Sequence, residues 1–322
     1  MDVRAQWEAA RRTAAVADLS ARRARLVVTG RDRRRFLHGL TSNDVAALKP
    51  GARCLATLLN PQGKLVAAFE VYDRGDDFLL ECAASAGDRL RALLDRYVIA
   101  DDVKVARATA AALPEWAAFG PDAAAIVREA LGTAAPSEPP AEECWHTAGE
   151  GALVASARAD LGAPGFVVIG APPPDGPVGR AAPRLDDATL ELLRIEGGVA
   201  APGHEIDEKL LPQEAALDRA LSFSKGCYVG QEAVAMLHYR GKLRRKLLGL
   251  VLAADGAAAP GDGVLHGGEE VGRVTSGSVV SPAFEAPVAL GVLKIHEPGT
   301  AVEIAGAGGR AAATVHALPL VG

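Results

Sequence analysis

From Lys246 onward the chain loses all helical spacing. Its apolar runs become short and valine-rich, at 247–253, 271–275, 287–293, 300–304 and 311–318, and glycines recur between them. Several short strands with regular turn signals predict a small all-β barrel or sandwich, set off by a boundary near 243–247. The 322 residues exceed the usual size of one domain, so the upstream part must hold at least one more. With 4% aromatic residues and abundant alanine, its core must be small-residue and aliphatic.

Upstream, helices and strands alternate. The segment from Met1 to Leu19 reads as an amphipathic helix. A strand at 25–29 ends at Gly30, and Asp32 can cap a helix that buries Phe36, Leu37 and Leu40. Strands at 53–59 and 64–72 flank Asn60-Pro61-Gln62-Gly63, a hairpin signal. A strand at 77–82, a helix at 87–98 and a strand at 102–106 complete an α+β unit. A looser second unit has strands at 115–119, 152–157 and 165–170 and helices at 121–131 and 186–196. The proline-rich segments 132–143 and 171–177 predict mobile insertions. The fold class is therefore α+β, with units at 1–110, 111–242 and 243–322.

Net charge is 35 − 40 = −5, which argues against nucleic-acid binding by bulk charge but not against a local basic patch. Two such patches exist. One is Arg22, Arg23, Arg25, Arg31, Arg33, Arg34 and Arg35; the other runs from Arg240 to Lys246. Each reads either as solvated surface or as a site for a polyanionic tail or RNA backbone. No apolar run approaches the 18 or so residues of a membrane helix. Cys54, Cys82, Cys144 and Cys227 are scattered, as in reduced thiols of a cytoplasmic protein. His38, His204, His238, His266, His296 and His316 show no metal-ligand spacing, so no metal site is expected.

The stretch Lys225-Gly226-Cys227-Tyr228-Val229-Gly230-Gln231-Glu232 concentrates chemistry. Cys227 reads either as a small buried hydrophobe or as a functional thiol. For the second reading there is a cation two residues away, two glycines, and a helix start whose dipole favours a thiolate. A lone thiol cannot hold an iron–sulfur cluster by itself, so any cluster would be shared or transient. Arg194-Ile195-Glu196-Gly197-Gly198 ends a predicted helix, and the glycines free Arg194 and Glu196 to turn toward a cleft or to form a surface ion pair.

These motifs, with Pro202-Gly203-His204-Glu205-Ile206-Asp207, Leu40-Thr41-Ser42-Asn43-Asp44, Asn60-Pro61-Gln62-Gly63-Lys64, Gly272-Arg273-Val274-Thr275-Ser276 and Ala289-Leu290-Gly291, resemble the YgfZ family of folate-binding proteins. Its relatives include the mitochondrial Iba-type iron–sulfur assembly factors, and its superfamily is that of the glycine cleavage T-protein, an aminomethyltransferase. The resemblance implies a ring of α+β domains with a C-terminal β-barrel around a tetrahydrofolate site. It implies a role in assembling or repairing iron–sulfur clusters in client enzymes, tRNA-modifying ones included; tRNA itself enters as a partner only through the two basic patches. The essential thiol maps onto Cys227 and the pterin-contacting carboxylate onto Glu196. Asn60, Arg194, Lys225, Tyr228, Gln231 and Arg240 complete the implied folate-binding set.

Where the T-protein has paired aspartates, this chain has Ala67 and Ala68. Alanine can exchange no proton, which disfavours aminomethyl transfer by that route and points away from a conventional enzyme. Gln231 stands where the T-protein usually has a cation, and Met236 where YgfZ commonly has one. The expectation is a folate-binding cluster-maturation factor. The alternatives are a folate-dependent one-carbon transferase and an RNA or protein scaffold.

Overall fold

In a computed structural model, which describes residues 2–157, 161–294 and 297–322, the hairpin at Asn60–Gly63 lies in an antiparallel sheet. Its strands are β2 (Arg23–Thr29), β3 (Arg53–Leu59), β4 (Leu65–Asp73), β5 (Phe78–Ala83) and β6 (Lys104–Ala108), in the order β3-β4-β5-β2-β6. Side chains alternate faces along a strand. Leu26, Val28, Phe69, Val71, Leu80 and Cys82 therefore share one face, packed on Phe36 and Leu37 of the helix Arg33–Leu40 and on Leu90 and Leu94 of the helix Ala84–Tyr97. The other face presents Arg25, Glu70, Tyr72 and Glu81.

The second sheet contains β1 (Ala15–Asp18), β7 (Glu115–Phe119), β8 (Trp145–Ala148), β9 (Ala152–Ser156) and β10 (Gly165–Ile169), in the order β1-β7-β10-β9-β8. Val16, Trp116, Ala118, Val154 and Phe166 pack outward against the helix Ala123–Leu131. Ala15, Ala117, Phe119, Leu153 and Val167 turn inward. There they join Tyr72 and Leu79 of the first sheet and Leu193 and Ile195 of the helix Asp187–Gly197 in one shared core. The N-terminal helix is shorter than expected, Val3–Arg12, and the chain then crosses to pair β1 with β7. Ala-Val-Ala-Asp carries no strand signal of its own; pairing against β7 decides its conformation. Residues 3–18 thus belong structurally with the second sheet, although the expected first unit contained them.

The last unit is a closed barrel rather than a sandwich. Its strands are β11 (Lys246–Leu252), β12 (Gly263–His266), β13 (Glu269–Ser281), β14 (Ala286–Leu293), β15 (Ala301–Gly306) and β16 (Gly309–His316), in the order β11-β14-β13-β12-β15-β16. Leu248, Leu250, Val264, Val274, Ile304 and Val315 fill it. The short β12 escapes sequence reading because its four residues, Gly-Val-Leu-His, are too few to show an alternation. After the barrel the chain returns to the middle helix, where the Leu320 N–H donates to the Glu196 carbonyl at 2.6 Å. His296 lies outside the described residues.

The first arginine cluster serves the fold itself. Arg31 pairs with Asp102 at 2.7 Å, Arg34 with Asp73 at 2.5 Å, Arg35 with Asp101 at 2.6 Å and Arg23 with Glu81 at 3.1 Å. Arg22 pairs with Asp187, and Arg33 donates to the Gly30 and Gly75 carbonyls. These cations are paired within the chain, which favours the solvated-surface reading of the cluster over an anion site. Two arginines bolt the sheets together. Arg25 meets Glu115 at 2.9 Å with 2% and 1% of their side chains exposed. Arg53 donates to the Tyr72 hydroxyl at 3.1 Å and to the Ser156 carbonyl at 2.8 Å.

Neither proline-rich segment hangs free. The Glu142 carbonyl accepts from Arg53 at 2.7 Å, the Ala171 carbonyl accepts from Trp116 Nε1 at 3.0 Å, and the Pro174 carbonyl accepts from Arg184 at 3.0 Å, just before the short helix Pro177–Ala181. Replacing Glu115 with alanine would leave the Arg25 guanidinium buried beside a vanished partner. A loss of about 3–5 kcal/mol in unfolding free energy is expected, read as a lower urea midpoint with unchanged slope.

Candidate functional site

Between the inner face of the first sheet, the end of the helix Asp187–Gly197 and the segment 198–219 lies a cavity of about 200 Å3. Its polar lining is Arg23, Glu70, Glu81 and Arg219; Leu55 and Ile206 are among its apolar walls. Glu70 and Glu81 stand directly opposite each other on β4 and β5. Like charges in that register destabilise a sheet unless something offsets them. Here Arg219 reaches Glu70 at 2.9 Å and Arg23 reaches Glu81 at 3.1 Å. Two carboxylates and two guanidinium groups make the lining polar yet neutral overall. Ala216, which borders the cavity, is held at φ 57°, a left-handed conformation that costs a non-glycine residue about 1 kcal/mol or more.

Of these four charged residues the sequence singles out only Arg23, as one member of the arginine cluster. Glu70 and Glu81 do carry a signal, a carboxylate inside an otherwise apolar strand run, Ala-Phe-Glu-Val and Leu-Leu-Glu-Cys. Arg219 carries none, because only the tertiary fold brings its 3-10 turn, Asp218–Ala220, against β4.

The stretch from Lys225 to Glu232 lies elsewhere. Lys225 is buried, and its Nζ donates to the carbonyls of His38, Thr41 and Asn43. It also stands 5.0 Å from the centre of the Tyr228 ring. Burial pushes the Lys225 ammonium down to about 8 and the Tyr228 phenol up to about 12. Gly230 takes φ 81°, and a Cβ there would sit 2.4 Å from the Asn60 carbonyl oxygen and 2.8 Å from the Gly63 Cα. Gly226, by contrast, has open space around it. The stretch is therefore pinned at both ends onto the first sheet's loops. Between the pins, Cys227 is exposed.

The helix Gln231–Arg240 begins after Gly230, so Cys227 lies outside its first turn, and the Lys225 amine is committed to three carbonyls. Asn60 and Val229 line a second cavity of about 190 Å3 with Arg89 and Glu208. The Asn60 carboxamide itself accepts from Gln62 and Lys64 N–H, holding the hairpin turn. Gln231 is half-buried, and Arg240 is exposed at the helix end. Cys227 lines neither the central cavity nor the second one. Of the other thiols, burial pushes Cys54 and Cys82 up to about 12.

The helix carrying Arg194 and Glu196 runs to Gly197, one residue past the expected end, and Gly198 caps it in the left-handed conformation. The two side chains consequently leave on different sides and form no pair with each other. Arg194 meets Glu191 at 2.6 Å, the Val199 carbonyl at 2.6 Å and Ser276 at 2.7 Å, and borders a cavity next to the central one. Glu196 is fully buried. Its carboxylate accepts from Trp7 Nε1 at 2.8 Å, Arg11 at 3.0 Å and Ser281 at 2.6 Å. It does not line the central cavity, since its hydrogen-bond partners face the N-terminal helix and the barrel. The structure therefore brings together Asn60, Lys225, Cys227, Tyr228 and Gln231, and sets Arg194 and Glu196 apart from them.

Sequence profiles place this geometry in a family. The GCVT N-terminal domain matches residues 2–151, and the glycine cleavage T-protein C-terminal barrel domain matches residues 245–321. An aminomethyltransferase of Rubrobacter xylanophilus is 31% identical over 89% of this chain and 78% of its own length. The chain belongs to the glycine cleavage T-protein family. The T-protein fold extends over the whole molecule: the glycine cleavage system aminomethyltransferase T of Bartonella henselae superposes with a TM-score of 0.83, at 24% identity, over 99% of this chain and 89% of its own. A mitochondrial iron-sulfur cluster assembly factor IBA57 homolog of Chaetomium globosum is 27% identical over 89% of this chain and 67% of its own length.

The Lys225 clamp has a pH signature. The folded protein releases this proton near pH 8, and the unfolded chain keeps it to about its ordinary value of 10.5. Between those values the unfolded state binds more protons, so this group makes stability rise with pH. Lys225→Met leaves three carbonyls short of a donor and should cost about 1–3 kcal/mol at pH 7. It should also abolish the rise between pH 8 and 10.5, as measured by urea midpoints across that range.

Proposed function

We propose that this chain is a tetrahydrofolate-binding factor of the YgfZ type, which assembles or repairs iron–sulfur clusters in client enzymes, tRNA-modifying ones among them, with Cys227 as its working thiol. The observation that carries this reading is at Ala67 and Ala68. Ala67 packs into the helix-side core and Ala68 borders the central cavity. Where the resemblance leads one to expect two carboxylates, two methyl groups stand. The likeness to the iron-sulfur cluster assembly factor homolog of Chaetomium globosum supports the same direction.

The central cavity suits a folate ring. Glu70 and Glu81 accept hydrogen bonds, Arg219 and Arg23 donate them, and Leu55 and Ile206 offer flat apolar contact. The exposed thiol stands away from that cavity, on a segment that Lys225 and Gly230 hold rigid, and so faces partners rather than the ring. No group of three or more His, Cys, Asp or Glu among the described residues could hold a metal ion, so a cluster handled here is cargo shared with a client. Arg240 and the cations after it offer a basic rim for a client or a tRNA.

A second reading, folate-dependent one-carbon transfer, is favoured by the 31% identity to an aminomethyltransferase across most of the chain. Turnover of an aminomethyl or methylene donor with tetrahydrofolate would establish it.

Cys227→Ala, introduced into cells, should lower cluster-dependent enzyme activities to the level of a strain lacking the protein. Because the side chain is exposed, the melting temperature should stay within about 1 °C of wild type. Full activity in that variant removes the thiol from the mechanism.

A further inference from the structure

The folate reading leaves open which carboxylate meets the ring, and Glu196, the residue the resemblance points to, already accepts from Trp7, Arg11 and Ser281. The first sheet supplies another. Residues two apart on a strand share a face, about 7 Å apart. Ala68 and Glu70 of β4 stand in that relation, and both line the central cavity. The methyl of Ala68 offers nothing polar; the next residue along the same face is a carboxylate, 4% exposed.

Arg219 fixes its direction. The guanidinium sits 2.9 Å from Glu70, on a turn entered through the left-handed Ala216. A carboxylate has about four lone-pair sites, so one engaged by an arginine can still accept from a ligand. Its two oxygens match adjacent N–H and NH2 groups on one ring edge, as two parallel hydrogen bonds. Glu81, directly across, adds acceptor character to the same end of the cavity.

We infer that Glu70, oriented by Arg219, is the residue that reads the N–H and NH2 edge of an aminopyrimidinone ring bound in the central cavity. This rests on the folate reading above. It assigns ligand specificity to a position that the sequence motifs leave unmarked, and it makes Glu196 a residue of the fold rather than of the site.

The test is a ligand-by-residue cycle by titration calorimetry, with tetrahydrofolate and its 2-desamino analogue as probes. Wild type should bind the analogue at least tenfold more weakly, because a site built to hydrogen-bond an NH2 group rejects the ligand lacking it. Glu70→Gln should bind tetrahydrofolate at least tenfold more weakly and bring the two ligands to within about twofold of each other. If Glu70→Gln melts below the assay temperature, Glu70→Asp replaces it. That variant withdraws the carboxylate by one methylene, and discrimination should fall at least threefold. Discrimination unchanged in the folded variant overturns the role of Glu70 and leaves the folate reading standing. Wild type that binds both ligands equally also overturns it. Wild type that binds neither ligand removes the folate reading, and this inference with it.

Discussion

Everything in this molecule hangs on the joining of two sheets through their inner faces, and the Arg25–Glu115 contact is the part of that joint that tolerates least. Apolar side chains supply most of the attraction, through a core that takes residues from β1, β7 and β10 on one side and from β4 and β5 on the other. Apolar contact alone does not fix how two faces slide on each other. An ion pair buried to about 1–2% exposure does, because any offset leaves a desolvated charge facing carbon. Arg53, reaching from β3 to the Ser156 carbonyl of β9, adds a second fixed point. With two points set, the first sheet's inner face is held in one position, and the central cavity opens between it and the segment that follows the helix Asp187–Gly197.

That space and the exposed cysteine are separate devices. The cavity is lined by β4, β5 and the turn after the middle helix. The cysteine rides on a loop fastened to the first sheet's far loops by one lysine and one glycine. Several residues that make the Lys225–Glu232 motif recognisable therefore do mechanical work. The lysine is a clamp, and the second glycine is the only residue that fits over the hairpin turn. Cys227 is left exposed between them.

The strands and helices of the first two units were legible because alternation and helical spacing are local signals. The barrel was legible for the same reason, down to its start near Lys246. Elements whose conformation is dictated from a distance were not: Ala15–Asp18 becomes a strand because β7 lies beside it. The site divides the same way. The Cys227 stretch announced itself, since thiol, cation and glycines sit within a few residues. Glu70, Glu81, Arg23 and Arg219 are spread over nearly 200 positions, and nothing short of the folded chain brings them together. The expectation that glycines would free Glu196 failed for a related reason. Gly197 continues the helix, and the partners that capture the carboxylate come from residues 7, 11 and 281.

The environment of Glu196 has a consequence for how the protein is made. Its donors arrive in three instalments during synthesis: Trp7 and Arg11 first, then Ser281, with the Leu320 N–H closing over the backbone of the same residue. A nascent chain that has emerged only as far as the two sheets can bury this carboxylate but cannot complete its hydrogen bonds. The barrel, synthesised after both sheets, supplies the donor that finishes the middle of the molecule. Segments far apart in the sequence thus meet at one buried carboxylate, whose hydrogen bonds are complete only once the barrel is in place.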